Sequence, residues 1–490
     1  MKRNRRNKKL NINLTKIIES EIKENSLRQS FPKSIDSYIK DLKSKNLNTH
    51  EDLTEIPFVT IDGEESMDFD DAVWSTNDIK QTKIRVAIAD VSFYVKKNDP
   101  LDLEAKKRGN SFYFPDRVLP MFPKKISNDI CSLIPNKERA CIVIEVIIKN
   151  YKISSFTIHR AKIRSVARLT YKEVDQIYFS NISQNKYFHL IKNLFESFSV
   201  LRNISEKRNK IEFDSEEFEL IRELDDSFFF KKKEKLISYK LIEEFMVLAN
   251  EVIAKFLKNN NLDSIFRNHE KPKDEKIEEL KKVLKHNGIY NNEKFNKQQD
   301  FNNILRKIKK NNSFLNDSLL RSQTKAYYSN ENFGHFGLGL DYYTHFTSPI
   351  RRYSDLNVHR DLIDFFFYKK TNKYERFLSN HLTLQEKKSD YIERKIIERA
   401  CSLYLRNSKK RYFKGIVDGI ESFGIFIKAI DLQFSCLARI RSKNLGSDKK
   451  NYLKHNTNFQ IGQIVSFKIK KNDINTGKIL VDKVKLISEK

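Results

Sequence analysis

The period of the apolar residues changes twice along this chain, and that order limits the folds open to it. From about residue 53 the segments PFVTIDG, DAVWS, KIRVAIADVSFYV, KERACIVIEVIIKN and SSFTIHRAKIRS are β-branched and aromatic runs parted by polar turns, the pattern of strands. Helical spacing follows in YKEVDQIYF, in YFHLIKNLFESFSVLRNISEKRNK and in SYKLIEEFMVLANEVIAKFLKNN, where Leu241, Phe245, Leu248, Val252 and Phe256 share one face. Residues 273–286, 302–310 and 383–409 are expected to add helices, and 412–487 returns to five short strand-like runs. Strands first and helices later, without regular alternation, predict an α+β domain and not a doubly wound sheet.

A chain of 490 residues implies about two to four domains. Its 39% hydrophobic and 12% aromatic content suffices for cores and argues against a disordered chain. Cys131, Cys141, Cys401 and Cys436 are scattered without a CxxC pair, which fits reduced thiols in a cytosolic protein and gives no zinc site. Six of the first nine residues are Lys or Arg, but no apolar h-region follows, so no secretory signal is read there. The run ACIVIEVII at 140–148 is broken by Glu145 and far shorter than the roughly 20 residues of a membrane span, so it reads as a buried strand. A soluble, cytoplasmic protein without membrane contact is expected. Residues 1–50 read as a basic N-terminal extension, a flexible tip followed by short helices around Ile17, Ile18, Ile22, Ile35, Tyr38, Ile39 and Leu42.

The balance of 93 Lys and Arg against 65 Asp and Glu leaves +28, a field that attracts polyanions. Abundant Lys, Asn and Ile together are also what an AT-rich genome produces, so charge alone decides little. It is concentrated at the end: residues 406–490 hold 19 Lys or Arg and 7 Asp or Glu. Five strands, small size and that charge fit an OB-fold, a barrel that binds single strands on one face. Phe413, Phe423, Phe426 and His455 are its candidate stacking residues, although most aromatics of a small barrel belong to its core.

The most informative segment is Thr60 to Val73, where Asp62, Asp68, Asp70 and Asp71 fall within ten residues beside Gly63. Carboxylate oxygens converging on one point are what Mg²⁺ or Mn²⁺ prefers, alongside phosphate and water. Such an ion can activate water and stabilise the leaving oxygen of a phosphodiester. The EF-hand spacing is absent. Residue chemistry alone leaves a catalytic metal site and a solvated acidic loop equally open. A second segment, 333–360, gathers Thr347, Ser348, Pro349, Arg351, Arg352 and His359 on a Pro-directed turn entering a helix. That is a candidate phosphate clamp of helix-terminal amides and guanidinium groups. It is also an ordinary capped helix, and both can hold at once.

With both segments in view, TIDGEESMDFDDAV, VAIADVSFYV, GNSFYFPDRVLPMFPKKISNDICSL, IRSVARLTY, KLIEEFMVLANE and ENFGHFGLGLDYYTHFTSPIRRYSDLNVHR resemble the RNase II/RNase R family, RNase R above all. The resemblance runs over roughly 53–487. It implies an RNB catalytic exoribonuclease domain at 51–405, a mixed sheet with packed helices. An OB-fold RNA-binding domain of the ribosomal S-one type follows at 410–488. It further implies processive 3′→5′ hydrolysis of single-stranded RNA to nucleoside 5′-monophosphates with Mg²⁺ (or Mn²⁺), in RNA decay and processing. By motif, Asp62, Asp68 and Asp71 would hold metal, and Asp70 and Arg351 would serve the chemical step. Tyr113 would stack on bases, Tyr171 would help select ribose with Glu244 or its neighbour Glu243, and Arg352 and Phe423 would touch RNA. A monomer is expected, with a ribosome or an RNA helicase as further candidate partners. Two features depart from the family. Only about 50 residues precede the catalytic motif, too few for a cold-shock barrel and linker, and Phe93 stands where these enzymes commonly carry His. A catalytically silent RNA-binding protein, and a nuclease that takes DNA or cuts internally, remain as alternatives.

Overall fold

Side-chain alternation settles the two faces of the central sheet. In the strand Thr82–Ala89, Ile84, Val86 and Ile88 enter one core and Ala87 and Ala89 the other. The structure is a computed structural model, and it describes residues 12–42, 46–213, 217–223, 227–290, 294–308, 314–371, 376–421, 423–430, 432, 434–439 and 459–487. Seven strands form the sheet in the order Glu51–Asp52, Lys152–Arg164, Glu138–Lys149, Thr82–Ala89, Asp71–Asn77, Val59–Asp62, Ala167–Thr170. The inner pairs are antiparallel, while the two outermost strands run parallel to their neighbours.

The side of the sheet with large residues is covered by helices Phe188–Lys207 and Ile237–Asn259, which bury Leu194, Phe195, Phe198, Leu241, Phe245 and Val252. The side with small residues accepts Met121, Phe122, Ile126 and the helices Lys33–Leu42 and Pro100–Arg108. Helix Tyr353–Tyr368 feeds both cores, with Val358 and Leu362 in one and Tyr353 and Leu356 in the other. Strands, helices and their order follow the sequence pattern. The last long helix, Arg376–Asn407, begins ahead of the expected 383, and the segment expected at 302–310 is the helix Gln298–Lys307. An antiparallel hairpin, Phe218–Arg222 with Phe228–Lys232, lies between helices where none was expected.

The N-terminal helices are part of the body. Helix Leu14–Glu24, capped by the Asn13 side chain, buries Leu14, Ile18 and Ile22 against Ile392, Ile396 and Ala400 of the long helix. Its Glu21 forms a buried ion pair with Arg399 at 2.8 Å, and Arg399 also donates to the Ile474 carbonyl of the C-terminal barrel. One guanidinium thus ties the first helix, the long helix and the barrel together.

That barrel is closed, with strands Tyr412–Glu421, Gly424–Ala429, Ser435–Arg439, Ile479–Leu486 and Ile464–Asn472 in spatial order. Phe413 is in its core with Val417, Ile425, Ile427, Phe434 and Phe467, so it is not a stacking surface. Phe423 stands at the turn between the first two strands, 53% exposed, with Phe426 packed edge-on beside it. His455 lies outside the described residues. Arg321 holds the barrel to the body through both oxygens of Asp418, at 2.7 and 2.5 Å. Among the described residues no helix is long and apolar enough to cross a membrane.

Removing one partner of a buried ion pair strands the other charge. Glu21→Ala is therefore expected to destabilise the protein by about 3 kcal/mol, read from urea unfolding. The double substitution Glu21→Met with Arg399→Met should recover most of that loss.

Candidate active site

Strand pairing gathers the acidic residues. Val59 pairs with Val73 in antiparallel register, so Asp62 at the end of one strand and Asp70 and Asp71 at the start of the other lie at the same edge. On its other side Asp62 pairs with Thr170, which caps helix Tyr171–Phe179 in a capping box with Glu173. Tyr171, first residue of that helix, is thereby set beside the acidic edge. The loop between Asp62 and Asp70 is pinned from two directions. Arg168 donates to the carbonyls of Gly63 and Glu64, both at 2.6 Å, and the Ser132 hydroxyl accepts from the Phe69 amide and donates to the Met67 carbonyl.

The arginine turn closes over this edge. The Ile350 amide donates to Asp70 Oδ1 at 2.8 Å, joining positions 280 residues apart, and Arg351 Nε lies 3.5 Å from Asp70 Oδ2. Arg351 also donates to the Ser348 hydroxyl at 2.9 Å, and its guanidinium remains partly exposed. Tyr113, on the short strand Phe112–Tyr113, donates from its hydroxyl to Asp68 at 3.0 Å. Asp62, Asp68, Asp70, Asp71, Tyr113, Tyr171 and Arg351 together line one cleft of about 460 Å³.

Several expected residues take different positions. Arg352 also lines the cleft, but its Nε and Nη2 are engaged by Asp355 at 3.0 and 2.7 Å. Asp355 also accepts from the Ser348 amide. The Ser348 and Ile350 amides thus go to the protein's own carboxylates, and those of Arg351 and Arg352 to the Ser348 carbonyl, so these four are not free for phosphate. His359 is fully buried, stacked on Phe346 with ring centroids 4.2 Å apart, so it is a core residue and not part of a clamp. Of the two adjacent glutamates, Glu243 lines the cleft; Glu244 faces the other way, bonded to Lys210 and Arg208. Phe423 is not among the residues lining the cleft.

Other cleft residues went unnoticed in the sequence. Met246, Val247 and Asn250 follow Glu243 at helical spacing, and the polar Asn250 in an apolar stripe was the available signal. Asn250 accepts from the Phe346 amide and donates to the Tyr343 hydroxyl, fixing the segment that leads into the arginine turn. His345, two residues ahead of Thr347, is bonded to the Tyr328 hydroxyl. Burial, with Arg352 and Arg267 nearby, holds it well below the usual imidazole range, so it lines the cleft as a neutral ring.

The electrostatics of the acidic edge follow from crowding. Burial first, then the Asp71 and Asp68 charges, push Asp62 up to about 8. Burial raises Asp71 to about 6 and Asp70 well above the carboxylate range, with Arg351 opposing both. Like charges this close favour either a shared proton or a cation. Asp62 Oδ2 and Asp70 Oδ2 are buried without any hydrogen-bond partner. Hard oxygen donors, orphaned and mutually repelling, fit a divalent cation of the Mg²⁺ class. Among the described residues no three His, Cys, Asp or Glu are spaced to close on one ion, so the fit rests on charge and donor chemistry.

The two arginines should separate experimentally. Arg352→Met leaves Asp355 without its main partner and is expected to cost about 2 kcal/mol in urea unfolding. Arg351→Met should leave stability nearly unchanged.

The RNB domain pattern matches residues 50–367. Ribonuclease R of Escherichia coli strain K12 is 35% identical over 421 residues, an alignment covering 80% of this chain and 51% of that protein. Ribonuclease R of Buchnera aphidicola from Schizaphis graminum is 34% identical over 409 residues, covering 79% and 56%. The chain therefore spans only half to three-fifths of the length of these curated relatives. Among solved structures, Mycoplasma genitalium RNase R in complex with ribose-methylated single-stranded RNA superposes with a TM-score of 0.89. That match is at 27% identity and covers 97% of this chain and 78% of that one.

Proposed function

The chain belongs to the RNB domain family, and from that membership we propose that it hydrolyses single-stranded RNA processively from the 3′ end to nucleoside 5′-monophosphates. The observation that carries the reading is the meeting of four carboxylates with Arg351 in one cleft, with one oxygen each of Asp62 and Asp70 buried without a hydrogen bond. A lone acidic loop would have no reason to bury them.

In this reading Asp62, Asp68 and Asp71 would hold a Mg²⁺ or Mn²⁺ ion together with substrate phosphate and water, because their carboxylates do not by themselves close on one ion. Such an ion supplies Lewis acidity to the phosphate and acidifies a water molecule. Asp70 is prepared for a separate task. One oxygen is tied to the Ile350 amide, while the other is left to orient the attacking water. Arg351 lies beside Asp70 and is exposed enough to meet the scissile phosphate and neutralise the charge developing on it. Tyr113 keeps much of its ring open for stacking on a base near the 3′ end. Tyr171 and Glu243 line the same cleft and would meet the sugar there, where a carboxylate can accept from a ribose 2′-hydroxyl. Arg352, paired with Asp355 through Nε and Nη2, shapes the turn from within the same cleft. Phe423 offers an exposed ring on the barrel for a more distant base.

The test is 5′-labelled single-stranded RNA with Mg²⁺. A ladder of shortened products is expected, abolished by chelation of the metal or by Asp70→Asn and slowed about 10²-fold or more by Arg351→Ala. A circular RNA should survive beside its linear form. RNA bound but never shortened would instead support a silent RNA-binding protein, and a cut circle would support an internal nuclease.

A further inference from the structure

Neighbouring positions on a helix point about 100° apart, and on helix Ile237–Asn259 this sends Glu243 and Glu244 to different places. Glu243 reaches the cleft, its side chain 51% exposed, whereas Glu244 is 2% exposed and lines a second cavity of about 320 Å³. One cation touches both. Lys210 Nζ lies 2.6 Å from Glu243 Oε1 and 2.8 Å from Glu244 Oε1, on a side chain that is itself buried.

The loop carrying Lys210 is fixed at several points. The Lys210 amide donates to the Ser205 carbonyl, and the Asn302 amide group donates to the carbonyls of Asn209 and Lys210, both at 3.2 Å. Arg208 Nε donates to the Leu338 carbonyl at 2.9 Å. The Arg208 carbonyl comes so close to Gly339 (φ +65°) that a Cβ there would lie 2.2 Å from it. Burial opposes the Lys210 charge, but the attraction of Glu243 and Glu244 outweighs it and holds the ammonium above its ordinary range. Glu244 already has Arg208 at 3.4 Å as a second counter-charge. The exposed Glu243 is the partner that gains most from Lys210, because a solvated glutamate is otherwise free to swing about its side-chain bonds.

We infer that Lys210 is a positioning residue for sugar recognition: bridging Glu243 and Glu244, it fixes the Glu243 carboxylate to accept a hydrogen bond from a ribose 2′-hydroxyl. Glu244 is the anchor of the bridge and does not meet RNA. The inference rests on the ribonuclease reading above, and its consequence is selectivity. Without Lys210 the chain should still bind a strand through its phosphates and bases, but distinguish ribose from deoxyribose less well.

The measurement is the ratio of affinities for two oligonucleotides, one all-ribose and one with 2′-deoxy sugars at its 3′ end. Both are bound in the Asp70→Asn background so that the RNA survives. Lys210→Met should cut the RNA preference roughly tenfold, mainly by weakening the all-ribose strand, and Lys210→Arg should restore much of it. Adding Lys210→Met to Glu243→Gln should change the ratio no further. Lys210→Gln, which keeps a donor in place, serves if the methionine variant does not fold. A ratio unchanged by Lys210→Met while Glu243→Gln lowers it overturns the positioning role. A ratio unchanged by Glu243→Gln overturns the sugar contact and the inference with it. Failure of the parent to shorten RNA sinks the nuclease reading separately, since the affinity ratio is read without cleavage.

Discussion

The hydrogen bond from the Ile350 amide to Asp70 is the joint on which the candidate site depends. It is buried, and a bond of that kind is costly to leave unmade. Through it the loop that carries the carboxylates and the turn that carries the arginines become one object. Neither segment has its function alone: the first is a set of repelling charges, the second a capped helix. Around the joint, Arg168 and Ser132 hold the acidic loop, and Asp355 holds the arginine turn. Asp62 Oδ2 and Asp70 Oδ2, by contrast, are buried at the cleft without a hydrogen bond.

Those exceptions concentrate function. A buried carboxylate oxygen without a hydrogen bond is expensive, and here two of them border the same cleft. The arrangement stores electrostatic repulsion that a cation relieves. The arginines divide the remaining work by position in the turn. Arg352 is spent on Asp355 and sets the backbone, which leaves Arg351 partly open to solvent. Two adjacent residues of one type therefore differ in role because one is paired with Asp355 of the helix that follows, while the other stays partly open to solvent in the cleft that both line. The same division separates Glu243 from Glu244, with Lys210 spanning the difference.

Much of the architecture was legible from periodicity. The strand runs, the helix Ile237–Asn259, the five-stranded barrel and the acidic and arginine segments all lie where their residue patterns put them. The misses have physical causes. His359 and Phe413 looked like polar or stacking candidates by residue type, but burial is decided by neighbours distant in sequence: Phe346 for one, Phe434 and Phe467 for the other. The helix Leu14–Glu24 read as an extension because its apolar stripe has no partner nearby in the chain. Its partner is the helix Arg376–Asn407.

What the sequence determined by itself was local: which segments alternate with period two, which with helical spacing, and which carry crowded aspartates or paired arginines. Family membership was legible for the same reason, because a motif is a local string. The tertiary structure alone decided what depends on direction and proximity. It placed Asp62 beside Tyr171 through a parallel strand pair, turned Glu243 into the cleft and Glu244 away from it, and engaged Arg352 while leaving Arg351 open. The physical reason is that charge and hydrogen-bond energies fall off over a few ångströms. Their consequences are fixed only once the chain has brought residues 280 positions apart into contact.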